Sequence, residues 1–269
     1  MILDILIPNF FKFAKHSLTF IMKALLDELV VKYNTPEFIE NDPVQFPHRY
    51  SEKNDIEIVS FLIATIAWGK RSMILNSANK LLNTMGKSPY DFIMSEGWKN
   101  LDHDKCVHRT FFNRDLIYYC NGLKGIYSEY QSLEDVFALG GNHDAWRGIQ
   151  NFRDKIQEVN GGATSVHISN PYCENPKKGS ACKRLHLALR WLVRNDGIVD
   201  LGIWSKLQPS DLMIPLDVHV GRISRELGFL ERKSNDRTTV EEITSKLRAL
   251  DPDDPIKYDF ALFGYGVSQ

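Results

Sequence analysis

An acid, a histidine and an arginine, side chains that can move protons or hold an anion, stand together in IPLDVHVGRISRELGFL, residues 214–230: Asp217, His219 and Arg222. Pro215 stops whatever precedes it, Val218, Ile223 and Leu227 suit a helix face turned to a core, and Gly228 suits the helix end. Asp217 has two readings here, a plain helix N-cap or the carboxylate of an active site. A second group lies upstream in NPKKGSACKRLHLALRWLVRNDG, residues 175–197. Lys177 and Lys178 approach a Gly179–Ser180 turn, and Lys183 and Arg184 fall in the first turn of the helix after it. A glycine turn running into a helix start offers N–H groups to an anion. Cations there oppose the helix dipole, which a bound phosphate would explain. The bland reading is a solvated basic face. A third group, His143-Asp144 in NHDAW, has the order of a metal-binding doublet, to which His103, Asp102 and Asp104 can contribute; it also reads as a helix cap.

The elements that must carry these groups are helical. In the 175–197 segment Leu185, Ala188, Leu189, Leu192 and Val193 make one buried stripe, while His186, Arg190 and Arg194 recur every four residues on another face. DIEIVSFLIATIAWG begins with an acidic turn at Asp55 and Glu57 and is then apolar all round, as a central buried helix is; Trp68 closes it. RSMILNSANKLLNTMG, NHDAWRGIQNFRDKIQEVN, VEEITSKLRAL and IKYDFALFGYGV are further helices, and SPYDFIM and SLEDVFALG each open on a capping serine. The three prolines of NTPEFIENDPVQFPHRYS predict a loop or short turns. Strand-like alternation is scarce. The pattern predicts an all-α chain of about ten helices without repeats, whose one candidate break lies near Gly140 to Gly162.

The bulk numbers set the frame. A chain of 269 residues, 43% hydrophobic, has the apolar mass for a real core. A net charge of -1 gives no global nucleic-acid signature, so any anion site must be a local patch. Cys106, Cys120, Cys173 and Cys182 have no C-x-x-C spacing; Cys173 and Cys182 can meet, but a reduced cytoplasmic protein is the expectation. Asp4, Pro8, Lys12 and Lys15 break the apolar start, so no membrane span is expected. Residues 1–21 are read as an extension ahead of an all-helical domain at 22–269; the alternative is an amphipathic helix packed on the body.

Taken together, the basic turn before a helix and the later IPLDVHVGR resemble the helix-hairpin-helix DNA glycosylase superfamily. The separation between the two is similar to that of its archaeal 8-oxoguanine glycosylase branch rather than to endonuclease III. DPVQFPHRY, DIEIVSFLIATIAWGKR and ACKRLHLALRWLVR extend the likeness to an uncharacterised bacterial family within it. The resemblance implies two helical lobes with a cleft between them and a monomer acting on DNA. It implies Lys183 as the nucleophile that forms a Schiff base and Asp217 as the second catalytic group. Phosphate contacts would come from Lys177, Lys178, Gly179, Ser180, Arg184, His219 and Arg222. The damaged base, an oxidised purine for instance, would be flipped against Trp68, whose alternative role is core packing. The hairpin departs from the common L-P-G-V-G pattern and keeps only Gly179. No cysteine follows Asp217, so no iron–sulfur cluster, metal or other cofactor is expected. Three other readings stand beside this one: a non-catalytic DNA-binding module, a metal phosphohydrolase built on His143 and Asp144, and an all-helical interaction protein.

Overall fold

The computed structural model describes residues 19–172 and 179–269. At its centre runs α3 (Lys53–Ile66), buried from Asp55 to Ile66. A helix apolar on every side has no face for water, so other elements must cover it. The two acids of its first turn are enclosed as well. Asp55 accepts hydrogen bonds from Tyr90 N (2.7 Å) and Ser88 Oγ (3.2 Å). Glu57 accepts from Ser132 Oγ, Leu133 N, Tyr127 OH and Trp204 Nε1, so one carboxylate satisfies groups from three other parts of the chain.

Helix α1 covers residues 19–33 and α2 is Pro36–Asn41. Two 3-10 turns follow at Pro43–Gln45 and Pro47–Arg49, so of the loop or short turns expected for the proline-rich stretch the structure has short helical turns. Because α1 is under way by residue 19, the expected boundary at Met22 falls inside a helix; residues 1–18 lie outside the described residues. Helix α1 is tied to the C-terminal helix through Tyr258 OH donating to Asp27 Oδ1 (3.1 Å). Next come α4 (Arg71–Met85), α5 (Pro89–Met94), a two-stranded antiparallel hairpin β1 (Cys106–His108) and β2 (Phe111–Phe112), and α6 (Asn113–Glu129). After α7 (Leu133–Phe137), α8 (Ala145–Val159) packs on both α6 and α7, so no break opens between Gly140 and Gly162. Ser88 and Ser132 cap α5 and α7 as the sequence predicts.

The last four helices are α9 (Lys183–Val193), α10 (Val218–Glu226), α11 (Arg237–Leu250) and α12 (Tyr258–Ser268). Helix α9 packs on α3, and α10 on α12. Its basic face corrects the sequence reading. His186, Arg190 and Arg194 are 1–3% exposed. Arg190 pairs with Asp200 (3.2 Å) and Asp259, and Arg194 with Asp200, Asp196 (3.0 Å) and Asp254 (2.8 Å). The acids come from the loop after α9, from Asp254 ahead of a 3-10 turn at Pro255–Lys257, and from Asp259 at the start of α12, beyond the reach of helical periodicity. The chain is thus mainly α-helical. Among the described residues no helix is long and apolar enough to cross a membrane. Cys106, Cys120 and Cys182 are free thiols, and Cys173 lies outside the described residues.

Candidate functional site

A cleft of about 760 Å3 opens where the C-terminal end of α3, the start of α9, the start of α10 and α12 converge. Lys183, Asp217 and Trp68 all line it, together with Arg184 and His219. Residues spread over some 150 positions of sequence therefore reach one cavity.

Lys183 enters from the first turn of α9. The residue before it, Cys182, holds a left-handed backbone (φ 45°), which reverses the chain direction into the helix. Such a conformation costs a non-glycine residue roughly 1 kcal/mol or more. Burial pushes the Cys182 thiol up to about 12, so it stays protonated and is a packing group. Among the described residues the Lys183 amine makes no hydrogen bond or ion pair. Its neighbour Arg184 has a structural explanation for its place: Nη1 donates to Thr65 O (2.9 Å) in the last turn of α3, and the guanidinium lies 5.2 Å from the Trp68 ring centre. A cation suits that end of α3, where carbonyls lack helical partners.

Asp217 caps α10: its Oδ1 accepts from His219 N and Val220 N, both at 2.9 Å. Both hydrogen bonds fall on one oxygen, and Oδ2 makes none among the described residues. The cap and a role in the cleft are therefore compatible. The extended residues before it are held by Ile214 N donating to Thr244 Oγ1 of α11 (3.1 Å). His219 Nδ1 donates to Gly266 O (3.1 Å), and Arg222 donates to the same oxygen (2.9 Å) and to Glu226 Oε1 (2.9 Å). His219 reaches the cleft; Arg222 is not among its lining residues and is occupied in joining α10 to α12.

Trp68 is half-buried, one side on the core and the other on the cleft. His108 of β1 fixes it, with Nε2 donating to Trp68 O (2.9 Å), Nδ1 bonded to Ser77 Oγ (3.0 Å) and its ring edge-on to the indole (4.8 Å). The small β-hairpin thus positions a cleft wall.

The Gly179–Ser180 turn is not free as expected. Ser180 N donates to Asn170 O (3.2 Å), Gly179 O accepts from Arg237 N (2.9 Å), and Cys182 N donates to Ser180 Oγ (3.1 Å). Neither residue lines the cleft. Lys177 and Lys178 lie outside the described residues.

Two acids that the sequence reading passed over belong to the site. Asp42 and Asp259 line the cleft with Asp217. Burial pushes Asp259 up to about 6; Arg190 opposes that shift and Asp217 adds to it. Burial also raises Asp42, whose carboxylate caps the first 3-10 turn. Asp259 left one signal in the sequence: a lone charge in the apolar YDFALFGYG needs a buried partner.

His143 and Asp144 are used elsewhere. Asp144 caps α8 by accepting from Trp146 N (2.9 Å), and His143 meets Asp211 at the surface (3.3 Å). Among the described residues no three His, Cys, Asp or Glu side chains are grouped to hold a metal ion.

Among curated proteins and solved structures, none matches the chain. Residues 42–268 match the family described as a protein of unknown function (DUF2400). That span holds α3, the cleft and every described residue assigned to it except Phe38, and the chain belongs to this family.

Proposed function

We propose that this protein is a DNA glycosylase and AP lyase with a helix-hairpin-helix glycosylase-like fold, two helical lobes flanking the cleft, and that it acts as a cytoplasmic monomer on a base flipped from the duplex. The observation that carries the reading is the unpaired Lys183 amine in the same cleft as Asp217 and Trp68. An amine nucleophile must be neutral to attack, and a carboxylate beside it serves both proton transfer and charge stabilisation.

The chemistry follows from these groups. The Lys183 amine attacks the anomeric carbon of the flipped nucleotide, the N-glycosidic bond breaks, and the base leaves with the bonding electrons and takes up a proton. The oxygen Oδ2 of Asp217 faces the positive charge that develops on the sugar, or accepts the proton that the amine loses, while Oδ1 keeps the helix cap. The C1′–O4′ bond then breaks, O4′ takes up the proton held by Asp217, and a Schiff base forms on Lys183; loss of a C2′ proton to the Asp217 carboxylate forms the C2′–C3′ double bond and expels the 3′ phosphate. Trp68 gives the extruded base a flat apolar wall.

The test is base release and strand cleavage on duplexes carrying 8-oxoguanine or an abasic site, with borohydride added to reduce any imine. A covalent protein–DNA band for the wild type, lost in Lys183→Gln, is expected. Salt-sensitive DNA binding without a band for either lesion would overturn the lyase reading in favour of a non-catalytic DNA-binding module.

A further inference from the structure

The turn that follows Trp68 carries two adjacent cations, of which Arg71 lies near enough to Asp42 in the cleft to favour its ionised form. Lys70 and Arg71 are exposed at the start of α4, and Arg109 is exposed at the tip of the β-hairpin. Among the described residues none of the three side chains makes an ion pair or hydrogen bond. Elsewhere the surface cations are commonly paired, as Arg114 is with Asp104 and Lys206 with Asp135.

Arg109 is held in its place by geometry. Its backbone is left-handed (φ 52°), and its side chain lies over Gly69. A Cβ built on Gly69 would stand 2.5 Å from Arg109 Nη1, so a side chain there would push the guanidinium aside, and the φ of 97° itself favours glycine. Gly69 and Arg71 line the cleft beside Trp68. Three like charges gathered at one edge repel one another, and an anion seated among them removes that cost. Inside the cleft the signs are mixed: Asp42, Asp217 and Asp259 lie among Lys183, Arg184 and Arg190, and Asp259 is paired with Arg190.

We infer that Lys70, Arg71 and Arg109 form a phosphate-binding lip that holds the backbone of the DNA strand whose nucleotide enters the cleft. This rests on the glycosylase reading above. An aromatic face with cations directly beside it matches a base and its flanking phosphates, the pairing that sites for extruded or single-stranded nucleotides use. The place of Trp68 between the lip and Lys183 orients the nucleotide, phosphates at the lip and sugar inward toward Lys183.

The experiment is fluorescence anisotropy of the full chain with a labelled duplex carrying a tetrahydrofuran abasic-site analogue, titrated between about 50 and 200 mM salt. Lys70→Gln, Arg71→Gln and Arg109→Gln should each lower the slope of log affinity against log salt by roughly 0.9, and the triple variant by nearly three times that. Lys80→Gln, about half a turn round α4 from Arg71, should leave the slope unchanged. Unchanged slopes in all lip variants, with the wild type still binding in a salt-dependent way, would overturn the lip and leave the Schiff-base reading standing. Reduced slopes here, with no borohydride adduct on a duplex carrying a natural abasic site, would support the lip and remove the lyase. A wild type that does not bind the duplex would overturn both.

Discussion

Asp217 shows how a residue with a structural role keeps a chemical one. Its two cap hydrogen bonds use a single carboxylate oxygen, which leaves the other for the cleft. The roles separate by substitution. Asp217→Asn keeps a cap acceptor and removes the charge, so stability should stay within about 1 kcal/mol of wild type. Covalent trapping should nevertheless slow by roughly 10²-fold or more. Asp217→Ala should slow trapping similarly and in addition cost about 1–2 kcal/mol in urea unfolding. Full trapping activity in Asp217→Asn would confine the residue to its cap. His186 makes a second prediction at this scale. Burial, with the charge of Arg237 adding to it, pushes His186 down to about 3, and neither ring nitrogen has a hydrogen-bond partner among the described residues. The folded pKa lies below the unfolded one, so as pH falls the unfolded chain takes up the proton first. Stability from this group is complete above about 6.5 and is lost toward about 3. Between pH 7.5 and 5 the wild type should lose about 2 kcal/mol more than His186→Leu, measured by urea unfolding. Equal losses in both proteins would contradict this origin.

At the scale of elements, the helices legible in the sequence were those with an apolar stripe or run, or a serine cap: α3, α4, α5, α7, α8, α9, α10, α11 and α12. The reading gave nothing for α6, the longest of the elements from α2 onward. Its Gly122 and Gly125 lower intrinsic helix propensity, and its tyrosines and asparagine blur the stripe. The structure explains the glycines. They let α8 approach closely, since a Cβ on Gly122 would meet Ile156 Cδ1 at 2.5 Å and one on Gly125 would meet the Val159 side chain. Gly122→Val should therefore destabilise the protein by roughly 1–3 kcal/mol through overpacking, despite removing a helix-breaking residue. A thermal midpoint at or above wild type would contradict the close packing. The basic face of α9 misled the reading for a related reason. Periodicity reports which residues share a face, but Asp200, Asp254 and Asp259 reach Arg190 and Arg194 only through tertiary packing.

For the whole molecule, helical class was legible because periodicity of three and four runs through most of the chain. The cleft was legible only in part. Lys183, Arg184, Asp217, His219 and Trp68 line it, while Ser180 and Arg222 are engaged in joining elements. Asp42 and Asp259 were missed because they lie far in sequence from either motif. The assembled cleft sets Asp42, Asp217 and Asp259 among Lys183, Arg184 and Arg190, an arrangement that no single segment encodes. The central claim is that Lys183 is the amine that forms the imine, and locating the bond tests it most directly. Wild-type protein trapped with borohydride on an abasic duplex would be digested with protease and nuclease, and the modified peptide sequenced by mass spectrometry. The account predicts the reduced sugar on the peptide that contains Lys183. The same modification on another lysine or on the N-terminal amine, with the Lys183 peptide unmodified, would contradict it.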